Sequence, residues 1–269
     1  VTEYPPSVTE HLEPASARRP AVPGRPAADE VEDSGGRPWR DRVLTSTGFD
    51  DDEGAEDRTL VAALTTPTTD AALVAVVAGS RLLVAVVAEP GAVEVGPEGL
   101  AHDASVDMAL VVLTAADGTR ALPAFTSVQA LAAWDATARP VPVTAARAAQ
   151  AAVTEGCESI VLDVGSARET ALRPSMVWAL AQQRDWRPAH DDPFVARSVE
   201  RAVASEQDIT GHGVEDGEPA AHGILRVVLT LRPGLTGEEV REIATRVGER
   251  LAADGELRAR VDGLAFVLR

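Results

Sequence analysis

From about Asp57 onward, short apolar runs bounded by glycine or proline alternate with stretches whose apolar residues recur every three or four positions. This alternation constrains the fold more than any other feature. It predicts a mixed β-sheet with helices packed against it, an α/β (α+β) architecture. Arg58 to Leu64 and Asp70 to Ala78 read as helices, the second capped from Thr68, Thr69 or Asp70. Arg81 to Ala88 is a valine-rich run between Gly79 and the pair Pro90-Gly91, the pattern of a buried strand. Helix and strand together form an apolar stretch from Ala71 to Ala88, but Ser80 and Arg81 stand at its centre. A central arginine costs roughly 2.5–3.5 kcal/mol on insertion. No membrane span is therefore expected, and Gly79-Ser80-Arg81 reads as a turn.

Further along, Asp107 to Ala115 and Arg120 to Phe125 flank Asp117-Gly118, a strong hairpin signal. Thr126 or Ser127 then caps a helix with Val128, Leu131 and Trp134 on one face. Pro140 and Pro142 stop that helix and impose an extended segment. Ala145 to Val153 predicts a helix ending near Gly156, Ser159 to Val164 a strand, and Pro174 to Gln183 a helix with proline in its first turn.

Four segments emerge. Residues 1–56 carry six prolines between Pro5 and Pro26 and end in the run Asp50 to Glu53, so they predict a disordered acidic tail. Residues 57–190 form the main α/β domain. Residues 191–222 lose the periodicity and read as an acidic linker with one short helix near Phe194 to Val203. Residues 223–269 read as a small β-α-β unit. Its first strand alternates Leu225, Val227, Leu229 and Leu231, and Thr236 with Glu239 has capping-box spacing. The helix carries a stripe of Val240, Ile243, Ala244, Val247 and Leu251, with Glu242 and Arg246 paired outside, and Leu264 to Leu268 closes the unit. So small a unit is marginal alone and is expected to pack on the larger domain or on a second copy, a homodimer.

The net charge is −17, and all 25 basic residues are arginine. With no lysine or asparagine and abundant alanine, this composition reads as the codon bias of a GC-rich genome, and Val1 as a GTG start. Residues 1–57 hold 14 acids against 6 arginines, and 191–222 hold 8 against 2. Acidity so placed argues against nucleic-acid or anionic-membrane partners. The N-terminus lacks the basic and apolar regions of a signal peptide. A single cysteine, Cys157, excludes an internal disulfide framework and multi-cysteine zinc sites. A reducing, cytoplasmic setting is the expectation.

The search for chemistry returns little. His11, His102, His190, His212 and His222 form no recognised ligand spacing, although His212 and His222 flank acids in the expected linker. No dinucleotide fingerprint follows a strand, and without lysine there is neither a phosphate-loop lysine nor a Schiff base. Cys157 and Ser175 lack a nucleophile motif and read as core and helix cap. No metal, cofactor or catalytic residue is expected. Trp134, beside Arg139 and Pro140, is the candidate protein-binding surface, with packing into the core as the other role open to it. Arg120, Arg139 and Arg173 are candidate carboxylate clamps.

The run Asp117-Gly118-Thr119-Arg120-Ala121-Leu122-Pro123-Ala124-Phe125-Thr126-Ser127, continued by Ala130-Leu131 to Trp134 and by Arg139-Pro140-Val141-Pro142-Val143, resembles the SseB family in its actinobacterial form. Ile160-Val161-Leu162-Asp163 and Arg173-Pro174 share the likeness, which spans roughly residues 57–185. Where members often carry proline after the acid, this sequence has Val164. The C-terminal unit is similar to the smaller C-terminal region of some members. The resemblance implies a cytosolic α/β module without assigned catalytic residues. The expected function is a non-enzymatic protein-interaction or regulatory module. The alternative is a small-molecule binder or enzyme acting on amino-acid or sulfur metabolites, which the family's serine-sensitivity phenotype suggests.

Overall fold

The computed structural model describes residues 48–90, 93–95, 101–103, 106–219 and 222–269. Most of the expected acidic tail, residues 1–47, lies outside the described residues, as does His11.

Two helices open the domain: α1 (Arg58–Thr65), capped by Asp57, and α2 (Asp70–Ala78), capped by Thr69. Strand β1 (Arg81–Pro90) follows, and then the two-stranded pair β2 (Val93–Val95) and β3 (Ala101–Asp103). After these come β4 (Val106–Leu110), β5 (Leu113–Thr114), β6 (Arg120–Phe125), α3 (Val128–Trp134), β7 (Arg139–Thr144) and α4 (Ala145–Thr154). The region closes with β8 (Ser159–Leu162), β9 (Thr170–Leu172) and α5 (Pro174–Ala181). The sheet runs β4-β1-β6-β8-β9, with β7 along β1 and β5 along β6. It is mixed, because β6 and β8 run parallel, Ala121 opposite Ser159, while the other pairs are antiparallel.

Strand β1 lacks polar alternation because both its faces are buried. Leu82 and Val84 face a core with Leu60, Val77, Leu122, Ile160 and Met176. Leu83 and Ala85 face the other way, onto Phe125 and Leu131. Helix α4 packs through Ala145, Ala148, Ala149 and Ala152, whose small side chains allow a close approach to the sheet and α5. The Asp117-Gly118 turn forms as expected, with Gly118 at φ +88° and Ala115 N–H bonded to Thr119 O at 2.8 Å. The hairpin is short, however. Of the expected first strand only β5 pairs with β6, and β4 leaves to pair with β1.

The expected linker is corrected by the structure. A 3-10 turn at Ala189–Asp191 leads into α6 (Pro193–Val203), the one helix foreseen there, and then into an unforeseen strand, β10 (Ile209–Asp216). Strand β10 pairs antiparallel with β11 (Ile224–Leu231). Gly211 and Gly213 hid it, since glycine disfavours strands in isolation and leaves no side chain to show a period. After β11 come α7 (Gly237–Ala253), α8 (Gly255–Arg258) and β12 (Gly263–Leu268), the last parallel to β11. The β-α-β unit is thus present with a third strand in front. Its Thr236–Glu239 capping box is formed, Ile243, Val247 and Leu251 are buried, and Arg246 lies 3.7 Å from Glu242. Helices α6 and α7 share one core with Leu225, Val227 and Leu229. No helix among the described residues is long and apolar enough to cross a membrane.

Candidate functional site

The start of α5 cannot cap itself. Its N-cap residue is Arg173, whose side chain makes no cap hydrogen bond, and Pro174 occupies the first turn. The free amide is taken from elsewhere: Ser175 N–H donates to Asp262 Oδ1 at 2.6 Å, and Ser175 Oγ donates to Asp262 Oδ2 at 2.9 Å. Asp262 sits just before β12, so the C-terminal strand unit supplies the cap to the main domain. Arg173 completes the joint, with Nε 3.0 Å from Asp262 Oδ2 and Nη2 2.8 Å from Asp70 Oδ2. Its guanidinium also lies 5.7 Å from the centre of the Trp186 ring, and Trp186 Nε1–H donates to Ser175 Oγ at 3.0 Å. Burial opposes the arginine's charge, but the bonds to Asp70 and Asp262 outweigh it and raise its pKa.

Beside this joint opens a cavity of about 290 Å³. Thr69, Asp70 and Ala71 at the start of α2 form one wall; Trp186 and His190 form another, and Asp216 and Ile224 of the C-terminal sheet complete it. Its charged side chains are two carboxylates, Asp70 and Asp216, and the guanidinium of Arg173, with apolar surface from Trp186, Pro188, Ala189 and Ile224 between them. His190 Nδ1 lies 3.8 Å from Asp216. An apolar hollow with a few convergent polar groups is the form of a small-molecule site.

The other sequence-derived candidates lie elsewhere. Arg120 is a surface residue, 3.8 Å from Glu155 with both side chains over 40% exposed. Arg139 and Pro140 are exposed on β7. Neither arginine lines the cavity that Arg173 borders, so the three do not converge on one carboxylate there. Trp134 is half-buried and tilts 34° onto Phe125, ring centres 5.3 Å apart, within the smaller core cluster. Sequence reasoning missed Asp70, Trp186 and Asp262. Trp186 carried a faint signal as one of four tryptophans in an aromatic-poor chain, but Asp262 carried none, because its partners are 87 and 89 residues away.

The possible nucleophiles are engaged structurally. Ser175 is 1% exposed and bonded as above. Burial pushes the Cys157 thiol up. Among the described residues no His, Cys, Asp and Glu cluster forms a metal site.

Residues 57–179 match the family model for the SseB protein N-terminal domain. The match runs from just before α1 into α5, so it includes Asp70 and Arg173 but ends before Trp186, Asp216 and Asp262. No curated protein and no solved structure matches the chain.

Proposed function

Given that residues 57–179 belong to the SseB N-terminal domain family, we propose that the chain is a non-enzymatic binding module that takes a small amphipathic molecule into the cavity beside Arg173. The observation that carries this reading is the cavity itself, walled on one side by the family domain and on the other by the C-terminal sheet. Its two carboxylates against one guanidinium favour a ligand bearing a cationic amine, with Trp186 and Ile224 against its apolar body. The negative balance also argues against the carboxylate-clamp alternative. Because Arg173 already serves Asp70 and Asp262, a carboxylate ligand has to displace one of them. A ligand bridging the two walls stabilises their contact by mass action, which gives a regulatory output without chemistry.

Thermal shift with a panel of small primary amines, amino acids and simple carboxylates tests the reading. Amines are expected to raise the melting temperature and to be recovered unchanged. The rise should vanish in Ala71→Leu, which fills the cavity from its α2 wall. No shift with any class, or a shift unaffected by Ala71→Leu, overturns it.

A second reading, a protein partner, rests on Trp178, Leu264 and Leu268, the large hydrophobics exposed among the described residues at 39%, 37% and 39%. The tryptophan is on α5 and the leucines on β12, at the edge of the C-terminal sheet. Tryptophan is enriched among interface anchors, and an apolar edge strand is a pairing template. Co-purification of a stoichiometric partner from native cytosol, lost in Trp178→Ala, supports this reading. A dimer in light scattering that Leu264→Arg dissociates supports pairing with a second copy, and a monomer recovered alone excludes both.

A further inference from the structure

A different set of contacts gathers where the parallel strands β6 and β8 end, at Phe125 and Leu162. In α/β sheets ligands bind beyond the carboxyl ends of such strands. Here three polar residues are almost fully buried: Thr126 and Ser127 at 0% and Asp163 at 1% exposure. Asp163 has φ +48°, in the left-handed region that few non-glycine residues adopt and that aspartate tolerates better than most. Its carboxylate accepts the Thr126 amide at 2.8 Å and the Thr126 hydroxyl at 2.9 Å. Two arginines flank it. Arg168 Nη2 lies 3.4 Å from Asp163 Oδ2, and Arg81 Nη1 donates to Thr126 O at 2.9 Å.

Both guanidiniums reach outward to one short segment that precedes α1. Arg81 Nε is 2.7 Å from Asp52 Oδ2, and its Nη2 donates to Asp52 Oδ1 at 3.2 Å and to Ala55 O at 2.6 Å. Arg168 Nη2 meets Glu56 Oε1 at 2.7 Å, a bond that holds the Glu56 carboxyl below its ordinary pKa. Between them Gly54 O accepts the Val128 amide at 3.0 Å, at the first residue of α3. Gly54 has φ +71°, and a Cβ there would collide with Val128 Cγ2.

How the segment is held matters as much as where. Asp50, Asp51, Glu53, Ala55 and Glu56 are exposed, and Gly54 alone of residues 48–57 is buried. Its attachment is therefore charge-assisted hydrogen bonding rather than apolar burial, the kind of contact that opens locally and yields to a competing acid. The family match starts at residue 57. Both arginines lie within the domain, and the segment they hold lies before it.

We propose that Arg81 and Arg168 form a carboxylate-binding site at the carboxyl ends of β6 and β8, and that the chain's own Asp52–Glu56 segment occupies it as an intramolecular ligand, closing it to an acidic peptide supplied in trans. The two arginines read two carboxylates four residues apart, and the Val128 amide reads the main-chain carbonyl between them. Glycine is required midway, where the backbone passes against α3. The peptide recognised is thus of the form acid-x-Gly-x-acid.

The probe is a fluorescent peptide of residues 48–57, titrated by anisotropy into the full chain. A tethered segment acts at an effective concentration on the order of millimolar, so ~10 µM peptide captures on the order of 1% of wild-type sites. Asp52→Asn with Glu56→Gln weakens the tethered copy, and peptide binding is expected to tighten at least tenfold. Gly54→Ala, which excludes the segment sterically and leaves its charges in place, is expected to do the same if the double variant folds poorly. Adding Arg168→Gln to either should weaken binding tenfold, as should replacing both acids of the peptide by amides. Equal binding by wild type and both released variants overturns the proposal, as does binding that ignores Arg168→Gln or the amidated peptide.

Discussion

Replacing Asp262 by alanine removes the acceptor of three hydrogen bonds at once: those from the Ser175 amide, the Ser175 hydroxyl and Arg173 Nε. The Asp262 side chain is 6% exposed and that of Arg173 22%, so water does not readily substitute. Losing one partner of such a buried pair costs about 3–5 kcal/mol, which here includes the amide of α5 left without a cap. For a domain of 150–250 residues each kcal/mol lowers the melting temperature by about 2–4 °C, so Asp262→Ala should melt roughly 10 °C below wild type. Asp262→Asn keeps an oxygen for the Ser175 amide but turns an amide toward Arg173, and should lose about half as much. Circular dichroism melts at pH 7 read both, and hydrogen exchange should show the Ser175 amide losing protection. A loss of under ~1 kcal/mol for Asp262→Ala, or equal losses for the two variants, refutes the claim that this carboxylate fastens the C-terminal sheet to α5.

Glu206, whose side chain is 7% exposed, is held below the ordinary carboxyl pKa first by its hydrogen bond to Arg246 and then by Arg250. A carboxylate with a depressed folded pKa adds stability above its unfolded value of 4.5, lost as pH falls through the folded one. Glu206→Gln should therefore cost about 1 kcal/mol in urea melts at pH 7 and converge with wild type in acid. Cys157, 7% exposed with its thiol raised by burial, should react with a thiol reagent at pH 8 many times more slowly in the native chain than in denaturant. Thr236→Ala removes the capping box of α7 and should cost about 1 kcal/mol by the same urea assay.

The elements that were legible are those specified locally. Thr236 caps its helix where its spacing placed it, Thr69 and Ser127 are each one of the neighbouring cap residues the sequence offered, and β1 was recognisable because burial on both faces demands an unbroken apolar run. Strands that rely on a neighbour were not. Strand β10, with Gly211 and Gly213, exists because β11 offers its edge, and three-residue β9 exists because β8 does. Trp134 was in phase with Val128 and Leu131, yet only the fold placed Phe125 beneath it.

By itself the sequence determined the α/β class, the family region and the C-terminal β-α-β unit, because periodicity, caps and turns act within a few residues of one another. Only the tertiary structure decided the sites. The cavity is walled by residues from Thr68 to Ile224, Asp262 reaches back 87 residues to cap α5, and Arg168 reaches back 112 to Glu56. Ion pairs and hydrogen bonds require atoms within about 3 Å in the right direction, and over such separations that proximity is set by sheet order and packing, which leave no local mark on the chain.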